Sequence, residues 1–168
     1  HETPAIQDEN LREMLSMQTR AIIMVSAVDS HELDKLREAG QTLLFVNRPD
    51  PGWEGSPYVG IDNYQAGADV ASLLLEKGVR RFALLHASLD RTSAYWRRKG
   101  FLDTLAKAGI SESEVWHATA EGLKHTDVGY RAVQDILARQ DPPRMLVCMS
   151  DLLAYGAYRY LREIGRRV

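Results

Sequence analysis

The stretch GVRRFALLHASLDRTSAYWRRKGF, residues 78–101, contains the signals of a helix end, a buried strand, a polar loop and a second helix. Gly78 favours the end of a helix because glycine adopts a left-handed backbone without strain. Residues 82–85 are apolar without alternation, as in a strand that is buried on both faces of a parallel sheet. Apolar positions then recur with a helical period over residues 93–108. This stretch predicts one strand–helix unit of a parallel α/β fold.

The same order of signals recurs along the rest of the chain. Further strands are predicted at residues 21–25, 43–46, 58–61, 115–118 and 145–148. Further helices are predicted at residues 63–77, 126–139 and 151–164, and between a capping box at Asp29 and Glu32 and a stop at Gly40. Residues 1–10 favour a loop that leads into a helix. The alternation of strand and helix predicts a doubly wound α/β fold.

The composition is that of a globular protein rather than of a nucleic-acid-binding surface. Of the 168 residues, 45% are hydrophobic and 26% are charged, and the formal net charge is −2. A chain with this charge lacks the concentrated basic face that a phosphate backbone requires. A single cysteine, Cys148, excludes an internal disulfide and favours a cytoplasmic location. No apolar run is long enough to span a membrane.

The sequence lacks the common motifs for catalysis and for a bound metal. The five histidines are dispersed, without the H-x-x-x-H spacing of metal ligands, and there is no C-x-x-C pair. The sequence contains no G-x-S-x-G, P-loop or G-x-G-x-x-G motif. Cys148 lies within an apolar run, which favours a core thiol over a nucleophile. We therefore expect a protein that is not an enzyme and that needs no cofactor.

Polar side chains follow the predicted strands, at the edge where parallel sheets bind ligands. They are Ser26, Asn47, Arg48, Asp62, Asn63, His86, Ser88, Asp90, Arg91, Ser150 and Asp151. Ser93 and Arg97 lie on the helix that follows, where a spacing of four residues places them on one face. Amide, carboxylate and guanidinium groups can together hold a polyhydroxylated or carboxylated small molecule. The alternative is a set of ordinary loop residues, with Ser93 in a helix cap and the arginines in solvent.

Four segments together carry the pattern of a known family. They are VGIDN at 59–63, GVRRFALL at 78–85, GYRA at 129–132 and CMSDLLAYGA at 148–157. Arg91, Ser93 and Arg97 match between the second and third segments. In this order and spacing, nearly the whole chain resembles the effector-binding domain of the lactose-repressor/galactose-repressor (LacI/GalR) family of bacterial transcription regulators.

The resemblance implies a periplasmic-binding-protein-like α/β fold with two doubly wound parallel-sheet lobes, in a truncated copy. The lobes would be residues 1–78 and 79–168, with a small sugar-like effector in the cleft between them. The positions that match the family's effector contacts are Asn47, Arg48, Arg91, Ser93, Arg97, Ser150 and Asp151. Where the family often has an aromatic contact, this chain has Lys124 and His125.

The resemblance also implies a function for the whole protein. The effector would control binding to operator DNA by an N-terminal helix-turn-helix that is absent from this chain. The family implies a homodimer, to which Tyr155 and Tyr158 would contribute because they lie off the core stripe of the helix at 151–164. The alternative is a periplasmic sugar-binding protein of an ABC-type transporter with the same fold, which an upstream signal peptide would distinguish. An enzyme that uses the same cleft is a third reading, but the sequence shows no set of catalytic residues for it.

Overall fold

The structure is a computed structural model of the chain. It describes residues 3–25, 27–50, 52, 55–87, 92–120 and 124–168. The chain divides into two compact units, unit 1 (His1–Ile61) and unit 2 (Asp62–Val168). The sequence analysis placed a division after Gly78. The structure places it before the helix Asn63–Glu76, because that helix packs against a second helix within unit 2.

In the described part of unit 1, the chain forms two helices and a three-stranded parallel sheet. Its elements in chain order are α1 (Pro4–Ser16), β1 (Ala21–Val25), α2 (His31–Glu38), β2 (Thr42–Val46) and β3 (Tyr58–Val59). The strands lie in the order β1-β2-β3. Helix α1 begins at Pro4, so the expectation of a loop over residues 1–10 is wrong. Proline suits the first turn of a helix, where its missing N–H costs no hydrogen bond.

The start of α2 also differs from the prediction. Ser30, not Asp29, occupies the N-cap, and its side chain makes no cap hydrogen bond. The backbone amide of Glu32 instead donates to the Asp8 carboxylate of α1 (3.1 Å). The Glu32 carboxylate pairs with Lys35 (3.0 Å). A tertiary contact with α1 therefore replaces the predicted capping box.

The core of unit 1 lies on one face of its sheet. It comprises Leu11, Ile22, Met24, Ala27, Leu33, Leu36, Leu43 and Phe45. On the opposite face of β1, Ile23 and Val25 have exposed fractions of 64% and 68%. The prediction that β1 is buried on both faces is wrong, because α1 and α2 pack against the same face of the sheet.

The described residues of unit 2 form four helices, a short 3-10 helix and a second three-stranded parallel sheet. Its elements in chain order are α3 (Asn63–Glu76), β4 (Phe82–Ala87), α4 (Thr92–Lys107), the 3-10 helix Glu112–Glu114, β5 (Trp116–Ala120), α5 (His125–Leu137), β6 (Met145–Cys148) and α6 (Asp151–Glu163). The strands lie in the order β5-β4-β6. The alternation of strands and helices agrees with the predicted order of elements.

The central strand β4 is buried on both faces. Phe82 and Leu84 belong to a core cluster with side chains of α3 and α4, such as Ala71 and Phe101. Ala83 and Leu85 belong to a second cluster with side chains of α5 and α6, including Val128, Ala132, Ile136 and Leu153. Successive side chains of a strand point to opposite faces, so a helix layer on each face explains the unbroken apolar run.

Each helix layer of unit 2 is a pair of helices in close contact at glycines. Between α3 and α4, a Cβ atom on Gly67 would overlap the carbonyl oxygen of Arg97, and one on Gly100 would overlap that of Tyr64. The corresponding contacts between α5 and α6 are Gly129 with Leu153 and Gly156 with Thr126. Because glycine has no side chain, the paired backbones approach more closely than other residues allow. Among the described residues, no helix combines the length and the apolar character needed to cross a membrane.

Candidate functional site

The carboxyl edge of the unit 2 sheet brings the ends of β4 and β6 together. Leu85 of β4 lies opposite Cys148 of β6 in the parallel register. The backbone amide of Met149 donates to the carbonyl of Leu85 (2.9 Å), which extends the pairing by one residue. Ser150 and Asp151 follow directly, at the start of α6. The predicted serine and aspartate therefore lie at the sheet edge where parallel α/β proteins bind ligands.

Arg97 of α4 reaches this edge from the neighbouring helix. Its Nη1 donates to the carbonyl oxygen of Met149 (2.7 Å), and its Nε donates to the carbonyl oxygen of Ser93 (3.3 Å). The first bond joins α4 to the turn between β6 and α6, and the second lies within α4. The guanidinium is therefore held at Met149, the residue before Ser150.

The Ser150 hydroxyl is the second notable group at this edge. Ser150 occupies the N-cap of α6, yet its side chain makes no cap hydrogen bond. Its Oγ is buried and has no hydrogen-bond partner among the described residues. A buried hydroxyl without a partner costs about 1–3 kcal/mol, so a polar ligand atom that bonds to it would recover that free energy. Asp151, the next residue, is exposed in the first turn of α6.

Two further predicted residues of unit 2, Lys124 and Asp62, lie at the starts of helices. Lys124 is exposed at the N-cap of α5. Asp62 caps α3, where its Oδ1 accepts a hydrogen bond from the amide of Gln65 (2.9 Å). That bond gives Asp62 a structural role that the sequence analysis did not assign. The residues predicted at strand ends that lie outside the described part of the chain are Ser26, Ser88, Asp90 and Arg91.

In unit 1, Asn47 and Arg48 follow β2 at the carboxyl edge of that sheet. Asn47 has a φ of 71°, a left-handed backbone that asparagine tolerates better than most residues. Its amide donates to the carbonyl of Val59 (2.9 Å), which fixes the turn against β3. The Asn47 side chain is exposed and Arg48 is half-buried. The structure thus places both residues at a strand end, as the sequence predicted.

The sequence did not predict a buried ion pair that involves Asp50, which follows this turn. Arg37 of α2 donates through Nε (3.0 Å) and Nη2 to the carboxylate of Asp50, whose side chain is 0% exposed. The amide of Gly52 (2.9 Å) and the Ser56 hydroxyl (3.2 Å) also donate to Asp50. Burial raises the pKa of Asp50, but the hydrogen bonds from Arg37 and Gly52 outweigh burial and hold that pKa below its ordinary value.

A second cluster that the sequence did not predict contains the buried His86 and the half-buried His117 of unit 2. His86 of β4 is 2% exposed and its ring packs edge-on against His117 of β5, with centroids 5.8 Å apart. Both ring nitrogens of His117 are buried without a hydrogen-bond partner among the described residues. Burial and the nearby charge of Arg98 lower the pKa of His117, against the opposite effect of Glu112. The only sequence signal for this cluster was the position of His86 at a strand end.

The described residues offer little for catalysis. They include no group of three or more His, Cys, Asp or Glu side chains that could hold a metal ion. Burial raises the pKa of the Cys148 thiol to about 11. At neutral pH such a thiol stays protonated and is a poor nucleophile. The donors and acceptors at the carboxyl edge of the unit 2 sheet suit hydrogen bonding to a polar ligand.

Comparison with known proteins agrees with this arrangement. A family model described as a periplasmic binding protein domain matches residues 1–168. The chain is 36% identical over 134 residues to the HTH-type transcriptional regulator AglR of Rhizobium meliloti (strain 1021), covering 79% of this chain and 37% of that protein. It is 36% identical over 109 residues to the HTH-type transcriptional repressor PurR of Erwinia tasmaniensis, covering 64% of this chain and 31% of that protein.

The solved structures include a LacI family transcriptional regulator from Enterococcus faecium with bound ribose. It superposes with a TM-score of 0.80 at 23% identity, covering 95% of this chain and 59% of that one. The present chain spans about a third of the length of the two curated relatives. The predicted periplasmic-binding-protein-like α/β fold is therefore confirmed, for part of the full-length fold. The chain belongs to the periplasmic binding protein domain family, and its resemblance to the effector-binding domain of LacI-type regulators is confirmed.

Proposed function

We propose that this chain is the ligand-sensing core of a LacI-type bacterial transcription regulator and that it binds a small sugar-like effector. The observation that carries the proposal is the arrangement of Arg97, Met149 and Ser150 at the carboxyl edge of the unit 2 sheet. There, a guanidinium bonds to the backbone of Met149, and the next residue, Ser150, has a buried hydroxyl without a partner among the described residues. Support comes from the relatives, since AglR and PurR are HTH-type regulators and the Enterococcus faecium regulator holds ribose.

The groups at the carboxyl edge of the unit 2 sheet suit a ligand with several hydroxyls. A sugar hydroxyl both donates and accepts hydrogen bonds, so it can accept from Arg97 and donate to Asp151. Ser150 can do either. In unit 1, Asn47 and Arg48 would add an amide and a second guanidinium. The full proposed set of ligand-binding residues is Asn47, Arg48, Asp62, Arg91, Ser93, Arg97, Lys124, Ser150 and Asp151.

Effector binding would control DNA binding by a helix-turn-helix that lies outside these residues. The effector can act only through a difference in its affinity for two arrangements of the protein. Operator DNA would then be a partner of the full-length protein, which would work in the cytoplasm without catalysing a reaction. That the curated relatives are transcription regulators favours this function over transport.

Replacement of Arg97 by alanine tests the proposed site. We expect the Arg97→Ala variant of the full-length protein to bind its sugar effector about 10–100-fold more weakly, because a hydrogen bond to a charged group contributes about 1.5–3 kcal/mol. The measurement is isothermal calorimetry with a panel of sugars that includes ribose.

Arg98 provides the matched control for that experiment. It is the next residue of α4, but its guanidinium contacts Glu112 rather than Met149. We expect Arg98→Ala to keep the affinity of the unmodified protein. Equal affinities for the Arg97→Ala variant and the unmodified protein would contradict the proposed site.

A second copy of the chain is the partner that we propose for α6. Leu152, Tyr155 and Tyr158 recur every three residues along this helix, and each is more than half exposed (52%, 67% and 54%). Residues at that spacing share one helix face, so they form an apolar stripe that a homodimer would bury. Sedimentation of the full-length protein checks this, and a monomer at micromolar concentration would contradict it.

A further inference from the structure

We propose that Gly67 sets the position of Arg97 and is thereby a positioning residue for effector binding, which rests on the proposed function. Gly67 lies on α3 and Arg97 on α4, the two helices that form one layer of unit 2. A Cβ atom on Gly67 would overlap the carbonyl oxygen of Arg97 and would lie 3.0 Å from the amide nitrogen of Phe101. The backbone of Arg97 therefore lies where only a glycine at position 67 allows it to be.

The contact is reciprocal, which fixes the two helices against each other. A Cβ atom on Gly100 would overlap the carbonyl oxygen of Tyr64 on α3. The Tyr64 hydroxyl donates to the Asp103 carboxylate of α4 (3.0 Å), which Lys99 also contacts (2.6 Å). The two backbone contacts at the glycines and the hydrogen bond between Tyr64 and Asp103 therefore oppose movement of α4 away from α3 and rotation of α4 about its axis.

The position of the Arg97 backbone decides where its guanidinium lies. The side chain is tied at one end to the carbonyl of Ser93 (3.3 Å) and at the other to the carbonyl of Met149 (2.7 Å). The Met149 bond joins α4 to the turn that carries Ser150. A displacement of α4 by about 1 Å would take this bond beyond hydrogen-bond distance. A side chain at position 67 would force such a displacement, because backbone atoms cannot rotate away as a flexible side chain can.

The geometry is tested first, without any ligand. The full-length protein is labelled with ¹⁵N at the arginine Nε, and the Arg97 signal is assigned by its loss in Arg97→Lys. We expect the Arg97 Nε–H signal to shift in Gly67→Ala, because the same guanidinium loses the bond from its Nη1 to the Met149 carbonyl. An Arg97 signal in Gly67→Ala that coincides with that of the unmodified protein would overturn the proposal.

Ile136→Ala is the control for a loss of stability alone. Ile136 is fully buried in the cluster formed by α5 and α6, and Gly67 lies on the other helix layer. We expect both substitutions to lower the melting temperature, whereas only Gly67→Ala shifts the Arg97 signal. If Ile136→Ala shifted that signal equally, Gly67 would have a general structural role and the proposal would be overturned.

Ribose is the probe for the effect on binding, measured by calorimetry. We expect Gly67→Ala to weaken ribose binding about tenfold, as for the loss of one hydrogen bond to a charged group. In an Arg97→Lys background, the same change should have no further effect, since Gly67 acts through Arg97. Additive losses would overturn the proposal.

The two proposals can fail separately. If the Arg97 signal shifts in Gly67→Ala but neither Gly67→Ala nor Arg97→Lys changes ribose affinity, the proposed role of Arg97 is wrong while the control of its position by Gly67 stands. If the unmodified protein does not bind ribose, that result counts against the sugar chosen, and the NMR comparison alone decides whether Gly67 positions Arg97.

Discussion

The two sheets of this protein are alike in strand number and direction but differ in how they are covered. In unit 2, the central strand β4 has a helix pair against each face, and its residues 82–86 are all buried. In unit 1, β1 is buried on one face only, and the side chains at positions 21, 23 and 25 are exposed. Both strands have apolar sequences without alternation. An unbroken apolar run therefore identifies a strand, but it does not show that both faces are covered within the same unit.

The two units also differ in the contacts that fix the turns at the carboxyl ends of their strands. In unit 2, backbone contact at glycines holds the helices, and the Arg97 side chain joins α4 to the turn after β6. In unit 1, a buried ion pair between Arg37 and Asp50 holds the turn after β2. Close packing is disrupted by a cavity as well as by added atoms, whereas a buried ion pair is disrupted by the loss of one partner. The most damaging substitution should therefore be of a different kind in each unit.

The largest effect should come from a cavity in the doubly covered sheet. We expect Leu84→Ala to lower the free energy of unfolding by about 3–4 kcal/mol, because Leu84 is fully buried and leaves a cavity. Ile23→Ala in β1 should change it by less than about 0.5 kcal/mol, because Ile23 is exposed in the described chain. Urea denaturation measures both. Similar losses for the two variants would contradict the difference between the sheets.

A slightly smaller effect should come from the ion pair of unit 1. We expect Asp50→Ala to cost about 3 kcal/mol, because it leaves the Arg37 guanidinium without its buried partner. Asp34 contacts the same guanidinium but is exposed, so Asp34→Ala should cost less than about 1 kcal/mol. Urea denaturation at neutral pH is the measurement. The contribution of Asp50, whose pKa is lowered, should persist at neutral pH and be lost as the pH falls through that lowered pKa.

The smallest effect should be the pH dependence of unit 2. The lowered pKa of His117 means that the folded chain binds a proton at this residue less readily than the unfolded chain. The free energy of unfolding should therefore fall as the pH drops below about 6.5, the ordinary histidine pKa. We expect His117→Gln to reduce this fall and the exposed His31→Gln to leave it unchanged. Thermal melts between pH 5 and 8, a range of about three units around that pKa, provide the measurement.

Local sequence signals predicted most of the fold. The runs at 21–25 and 145–148 coincide with β1 and β6, and glycines such as Gly40 and Gly78 follow the ends of helices with a positive φ. These signals depend only on residues that are close in the chain, so they can be recognised without knowing the tertiary contacts. The predicted start of α2 was wrong because the Glu32 amide bonds to Asp8, which lies on another helix. The compact units divide before α3 rather than after Gly78, because α3 packs against α4, a contact that the sequence does not show.

The residues of the candidate site were also predicted only in part, because local signals show which residues follow a strand but not which distant residues they contact. The strand-end rule found Arg97 by way of its helix face and found Ser150 and Asn47 directly, since each follows a predicted element. It could not find Asp50, whose role depends on Arg37 thirteen residues earlier in the chain. It also could not show that Asp62 caps α3, because a carboxylate before a helix suits a cap and a ligand contact equally well.

Taken by itself, the sequence determined that residues 78–101 form a strand, a polar loop and a helix, because apolar period and glycine position act over a few residues. It also determined the family, because the matching segments keep their order and spacing. Only the tertiary structure decided which strands have two covered faces and which arginine reaches a sheet edge. Those outcomes depend on contacts between distant residues, such as Gly67 with Arg97 and Arg97 with Met149, whose geometry no single segment contains.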